Sequence, residues 1–110
     1  MADVLLGCPT PEDYLRPHPH FNCLVGRYAN RITDARFQLD GTLYELDANL
    51  PPHHLHGGKH AFGLRRWNSE PIDQGVRFTL ISPDGEGGYP GELDVVAEYT
   101  LHGMTLGLHY

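Results

Sequence analysis

Two stretches carry the side chains most able to do chemistry. Leu55-His56-Gly57-Gly58 sets an imidazole beside two glycines, and the run from Gly26 to Ile32 contains Asn30-Arg31, an amide next to a guanidinium. Glycines lack a Cβ, so a ligand can approach the backbone closely. A neutral imidazole accepts a hydrogen bond on one nitrogen and donates from the other. Asn30 both donates and accepts, and Arg31 adds a planar fork of donors. The vicinal hydroxyls of a sugar match that set. Taken singly, the same residues have plainer uses: a histidine satisfied in a turn, a capping Asn, a surface Arg. Arg27 would share a face with Arg31 if this segment were helical, and both would then need carboxylates or a ligand nearby.

A second chemistry is open to the histidines. His53, His54, His56 and His60 are dense enough to suggest a transition-metal site. His54-x-His56 resembles the paired histidines of cupin-like metal proteins. Those proteins place an acid shortly after the pair, and here none occurs between His56 and Glu70. A histidine-rich loop with one functional imidazole is the simpler reading, and no metal is assigned. The glycine-rich run from Ser82 to Gly91 lacks the G-x-x-x-x-G-K-[ST] phosphate-loop pattern, and its acids are not spaced for calcium. It reads as a wide turn between strands, with Tyr89 available for packing.

The elements that must position these residues read as β structure. The chain has 110 residues, with 13 glycines and 9 prolines, which implies short elements and many turns. At this length it is one domain at most, with a thin stability margin. Phe37 to Leu46 alternates around Asp40-Gly41, a type I′ turn signature, and predicts a hairpin. Trp67 to Glu70, Gly75 to Ile81, Leu93 to Leu101 and Met104 to Tyr110 predict strands, with a tight turn at His102-Gly103. Val4 to Leu6 suggests a strand end, and Phe21 to Val25 is a further apolar run. Thr10-Pro11 with Asp13 predicts a capped helical turn, which Pro17 would stop, before an exposed His18-Pro19-His20 loop. Ala29 to Ile32 suggests a short turn, and Asn49 to Pro52 a loop. The fold class expected is all-β.

Composition removes several functions. The formal net charge is −6, and only Arg65-Arg66 clusters basic residues, so no nucleic acid is expected as a partner. No apolar run approaches the ~18 residues that span a bilayer, and no signal peptide is evident; no membrane partner and a cytoplasmic location follow as expectations. Cys8 and Cys23 form no C-x-x-C pair and read as reduced thiols. The last segment ends in mid-alternation, which suggests a piece of a larger sheet. Its open edges make self-association plausible.

Five motifs in order then carry a resemblance: Gly26-Arg-Tyr-Ala-Asn-Arg-Ile32, Phe37-x-Leu-Asp-Gly41, Leu55-His-Gly-Gly58, Phe62 with Trp67, and Ser82-Pro-Asp-Gly-Glu-Gly-Gly-Tyr-Pro-Gly91. The chain, from about Asp3 to Leu101, resembles the aldose 1-epimerases, or galactose mutarotases. The resemblance implies a large antiparallel β-sandwich (the galactose mutarotase-like supersandwich), of which residues 1–110 would be a partial domain lacking the first strands and the C-terminal two thirds. It implies interconversion of α and β anomers of hexoses such as glucose and galactose, without metal or organic cofactor. It assigns Asn30, Arg31 and His56 to substrate binding. The family's acid, a histidine, and its base, a glutamate, would lie beyond residue 110, so the isolated chain would be inactive or nearly so. Two departures bear on the loop: His53-His54 replace the usual Asn-Ser before Leu55, and Ala61 replaces a glycine common before Phe62.

Overall fold

In a computed structural model, residues 5–16 and 20–110 are described. Val4, and the stop and loop expected at Pro17 to Pro19, lie outside them. The described residues form eight strands: β1 (Arg31–Ile32), β2 (Arg36–Leu39), β3 (Thr42–Glu45), β4 (His54–Leu55), β5 (Asn68–Ile72), β6 (Gly75–Ser82), β7 (Leu93–His102) and β8 (Thr105–His109). Every ladder among them is antiparallel. Helical structure there is limited to short 3₁₀ turns.

The predicted hairpin forms as β2–β3, with Phe37 opposite Tyr44. Asp40 and Gly41 take φ of 49° and 80°, the two positive values a type I′ turn requires. Phe37 and Tyr44 stack at 5.4 Å between ring centroids. Ala35, Leu46 and Tyr89 make a small core beside them, with Ile32 and Phe37 packed against it.

Strands β5 to β8 form a meander in chain order. Alternation sorts its faces. Val76, Phe78 and Leu80 pair with Tyr99, Ala97 and Val95, while Arg77 pairs with Glu98 on the opposite face. Arg77 bridges Glu98 at 2.7 Å and Glu70 at 2.8 Å, so the polar face is laced across three strands. On the apolar face a cavity of about 590 Å³ separates Val76, Phe78 and Tyr99 from Phe62 and Trp67. Leu101, Leu106, Leu108 and Tyr110, towards and beyond β8, are exposed.

Several boundaries differ from expectation for local reasons. Arg31 and Ile32 are strand rather than turn, because β4 arrives to pair with them. β5 begins after Trp67 and contains Pro71, which a strand paired on one side tolerates. The last tight turn is Gly103-Met104, since His102 still pairs with Thr105. Leu5 and Leu6 form no strand and are exposed. Pro11–Leu15 is a 3₁₀ turn in which the Thr10 hydroxyl donates to the Asp13 carboxylate at 2.9 Å and does not accept from a backbone N–H as an N-cap would. Cys8 and Cys23 are both free, and burial pushes the Cys23 thiol up, towards the unreactive form.

Candidate functional site

Asn30, Arg31 and His56 come together at one end of the β1–β4 ladder. The His56 backbone N–H donates to the Asn30 carbonyl at 2.9 Å. The Asn30 N–H donates to His56 Nδ1 at 3.0 Å. Arg31 Nη1 donates to Asn30 Oδ1 at 3.2 Å. The two-residue register Arg31↔Leu55 and Ile32↔His54 delivers this contact, and both Asn30 and His56 leave the ladder in the left-handed region, at φ of 66° and 54°. Asn30 and Arg31 are exposed and His56 is half-buried.

This arrangement changes what His56 can offer. Its Nδ1 accepts from the backbone, so a neutral ring carries its proton on Nε2 and faces a ligand as a donor. The remaining donors of Arg31 and the Asn30 NH₂ point to the same chemistry: a donor-rich surface for oxygen acceptors. His20 adds a second imidazole, with ring centroids 5.9 Å from His56. Arg31 also lines a cavity of about 510 Å³ over Phe37 and Tyr89, whose walls do not include Asn30 or His56.

The glycines after His56 are spatially required. A Cβ on Gly57 would lie 1.7 Å from the Gly26 carbonyl oxygen, so the two loops touch backbone to backbone. A Cβ on Gly26 would fall 2.3 Å from the Phe62 ring. On its other side β4 is held by Asn49, whose side-chain amide mimics a strand. Its Nδ2 donates to the Leu55 carbonyl at 2.9 Å and its Oδ1 accepts from the Leu55 N–H at 2.7 Å.

Arg27 does not share a helical face with Arg31. It grips the loop between β6 and β7 with five hydrogen bonds. Nε donates to Ser82 Oγ at 2.9 Å, Nη2 to the Ser82 and Pro83 carbonyls at 2.7 and 2.8 Å, and Nη1 to the Pro90 and Gly91 carbonyls at 3.1 and 2.7 Å. Its guanidinium also sits 5.8 Å from the centroid of the Tyr89 ring. No pattern in the sequence flags this, because its partners are mostly carbonyls. Glu86, in the same loop, accepts from Ser82 and Arg65. Burial pushes its carboxyl up, but the Ser82 hydroxyl and the Arg65 guanidinium outweigh that and hold it below the usual carboxylate range.

The four histidines do not converge. His53 Nδ1 accepts from the Asp34 N–H at 3.2 Å. His54 is fully buried between Asp47 and Tyr89. His60 lies 3.9 Å from Glu86. Among the described residues no group of three or more His, Cys, Asp or Glu could hold a metal ion.

Comparison with known proteins bears on the whole chain. The family model for aldose 1-epimerase matches residues 1–110. The chain belongs to the aldose 1-epimerase family. Over 109 residues it is 47% identical to galactose mutarotase of Rattus norvegicus, covering 99% of this chain and 32% of that protein. It is 39% identical over 102 residues to aldose 1-epimerase of Escherichia coli, covering 92% and 30%. Among solved structures, the GalM/aldose epimerase homologue from C. elegans superposes with a TM-score of 0.79 at 31% identity, over 88% of this chain and 30% of that one. Galactose 1-epimerase from Lactobacillus acidophilus gives 0.73 at 29% identity, over 86% and 30%. The chain thus spans about a third of the length of the relatives it matches, and its antiparallel sheets are a part of the aldose epimerase fold.

Proposed function

We propose that Asn30, Arg31 and His56 bind the hydroxyl and ring oxygens of an aldose, and that the whole protein interconverts the α and β anomers of hexoses such as glucose and galactose. The observation that carries this reading is the hydrogen bonding that gathers the three residues: the Asn30 backbone N–H donates to His56 Nδ1, and Arg31 Nη1 donates to Asn30 Oδ1. It leaves the His56 Nε2–H, the Asn30 amide and most of the Arg31 fork free to donate to one ligand. Membership of the aldose 1-epimerase family supports the reaction.

Anomerisation breaks the bond between C1 and the ring oxygen, turns the aldehyde and recloses it on the other face. A base takes the proton of the C1 hydroxyl while an acid protonates the ring oxygen, each step worth ~10²–10⁴-fold. His56, as a donor, suits orientation of the sugar or stabilisation of charge developing on its oxygen. The trio's hydrogen bonds run to one another, and none among the described residues reaches a carboxylate. This favours binding without turnover by the 110-residue chain, with acid and base supplied by segments outside it.

Two measurements separate binding from turnover. Polarimetry of freshly dissolved α-D-glucose is expected to give the buffer rate with this chain, whereas acceleration that vanishes in His56→Ala would show a complete active site here. Titration with galactose is expected to shift the amide resonances of Asn30, Arg31 and His56. A flat titration in folded protein would remove the binding assignment.

A further inference from the structure

We propose that His54 is a positioning residue for this site: its buried ring is the pin that holds the turn presenting His56. The functional consequence rests on the sugar-binding reading above; the mechanical part does not. His54 is 0% exposed and sits on β4, two residues before His56. Both ring nitrogens are used. Nδ1 donates to the Asp47 carbonyl at 2.8 Å, so Nε2 is the acceptor in the neutral ring, and the Tyr89 hydroxyl donates to it at 2.8 Å. His54 and His56 are therefore held in opposite tautomers.

Three contacts turn this pin into a template for the His56 turn. A Cβ on Gly58 would lie 2.3 Å from Asp47 Oδ1 and 2.6 Å from His54 Cε1, so the Gly58 backbone rests on the Asp47 carboxylate and the ring together. Asp47 holds both ends of the turn: its carbonyl accepts from the His54 Nδ1–H, and its Oδ2 accepts from the Lys59 N–H at 2.7 Å. Tyr89 links the ring to the loop that Arg27 grips, and Arg27 leads directly into Asn30-Arg31. The imidazole touches the Asp47 segment, the Gly58 turn and the Tyr89 loop together, and Asp47, whose N–H donates to the Gly87 carbonyl at 3.3 Å, braces the same junction. His56 is in the left-handed region, which a non-glycine residue keeps only where its surroundings over-determine it.

The test is imidazole ¹⁵N NMR on the labelled 110-residue chain. The wild type is expected to show a protonated Nδ1 for His54 and a protonated Nε2 for His56. Tyr89→Phe removes one oxygen and leaves the ring, and His54→Gln shortens the bridge to one partner. Both are expected to move His56 to averaged tautomers and to weaken galactose-induced shifts at Asn30 and Arg31 about tenfold. His53→Ala, outside this network, is expected to change neither. A His56 tautomer and galactose response unchanged in folded Tyr89→Phe and His54→Gln would overturn the proposal. If His54→Gln fails to fold, Tyr89→Phe decides alone. If galactose shifts nothing in the wild type while His56 still loses its tautomer in the variants, the binding reading fails and the pin stands.

Discussion

The segment from Gly26 to Phe62 and the meander from Asn68 to His109 are built on opposite principles. The meander is held by backbone ladders five to ten residues long, and its side chains only sort between an apolar and a polar face. Outside its β2–β3 hairpin, the earlier segment has two-residue strands, repeated positive φ values and few ladder bonds. Side chains supply what the ladder lacks: Arg27 on five acceptors, Asn49 on Leu55, His54 between Asp47 and Tyr89. The candidate site sits in the second kind of region. A ladder orients side chains at a fixed period of two, whereas the Asn30–Arg31–His56 trio needs angles that period does not provide. The cost is sensitivity, since each contact rests on one side chain or one missing Cβ.

That contrast can be broken at graded cost. The largest effect is expected from Gly57→Ala. A methyl 1.7 Å from the Gly26 oxygen, at φ of 87°, forces the two loops apart, and a loss of about 3 kcal/mol or more is expected in urea unfolding. Arg27→Lys keeps the charge but replaces a fork by a point donor. It strands carbonyls of the 82–91 loop, and about 2 kcal/mol is expected by the same measurement. At the low end of the scale, Gly103→Ala, in the β7–β8 turn of the meander, meets the same left-handed requirement with nothing within 4 Å, so backbone strain alone remains, about 1 kcal/mol. Near-equal losses for Gly57→Ala and Gly103→Ala would erase the distinction between the two regions.

Titration sharpens the comparison without changing a residue. Burial first, and then the Asp47 charge, push the Tyr89 hydroxyl up to about 12. Its folded value lies above its unfolded one, so its contribution to stability is present below pH 10 and is lost as pH rises through about 12. Absorbance titration should show Tyr89 ionising last or only on unfolding. Glu86 has the opposite sign. Its depressed carboxyl contributes stability above the usual range, lost as pH falls through its folded value, and Glu86→Gln should flatten the acid limb of a stability-against-pH curve.

Much of the meander and the hairpin was legible in advance because period-two alternation and Asp40-Gly41 are local signals. The errors there are one-residue shifts, such as the turn at Gly103-Met104, where cross-strand pairing and not composition sets the end. Asn30, Arg31 and His56 were legible as a set of chemistries, and the Tyr89 packing role was foreseen. Arg27, Asn49 and Asp47 were not. Their partners lie from a few residues to more than sixty away in the chain and are mostly backbone atoms, which no side-chain pattern encodes.

Taken alone, the sequence determines an antiparallel β chain of the aldose 1-epimerase family with three candidate sugar-binding side chains, because alternation, turn residues and motif order are properties of neighbours along the chain. Only the tertiary structure decided that His56 Nδ1 accepts from the Asn30 backbone, so that a neutral ring has its donor on Nε2, that His54 is buried between Asp47 and Tyr89, and that His53, His54, His56 and His60 do not converge. Those outcomes depend on which atom lies opposite each ring nitrogen, and that is set by the meeting of segments distant in sequence.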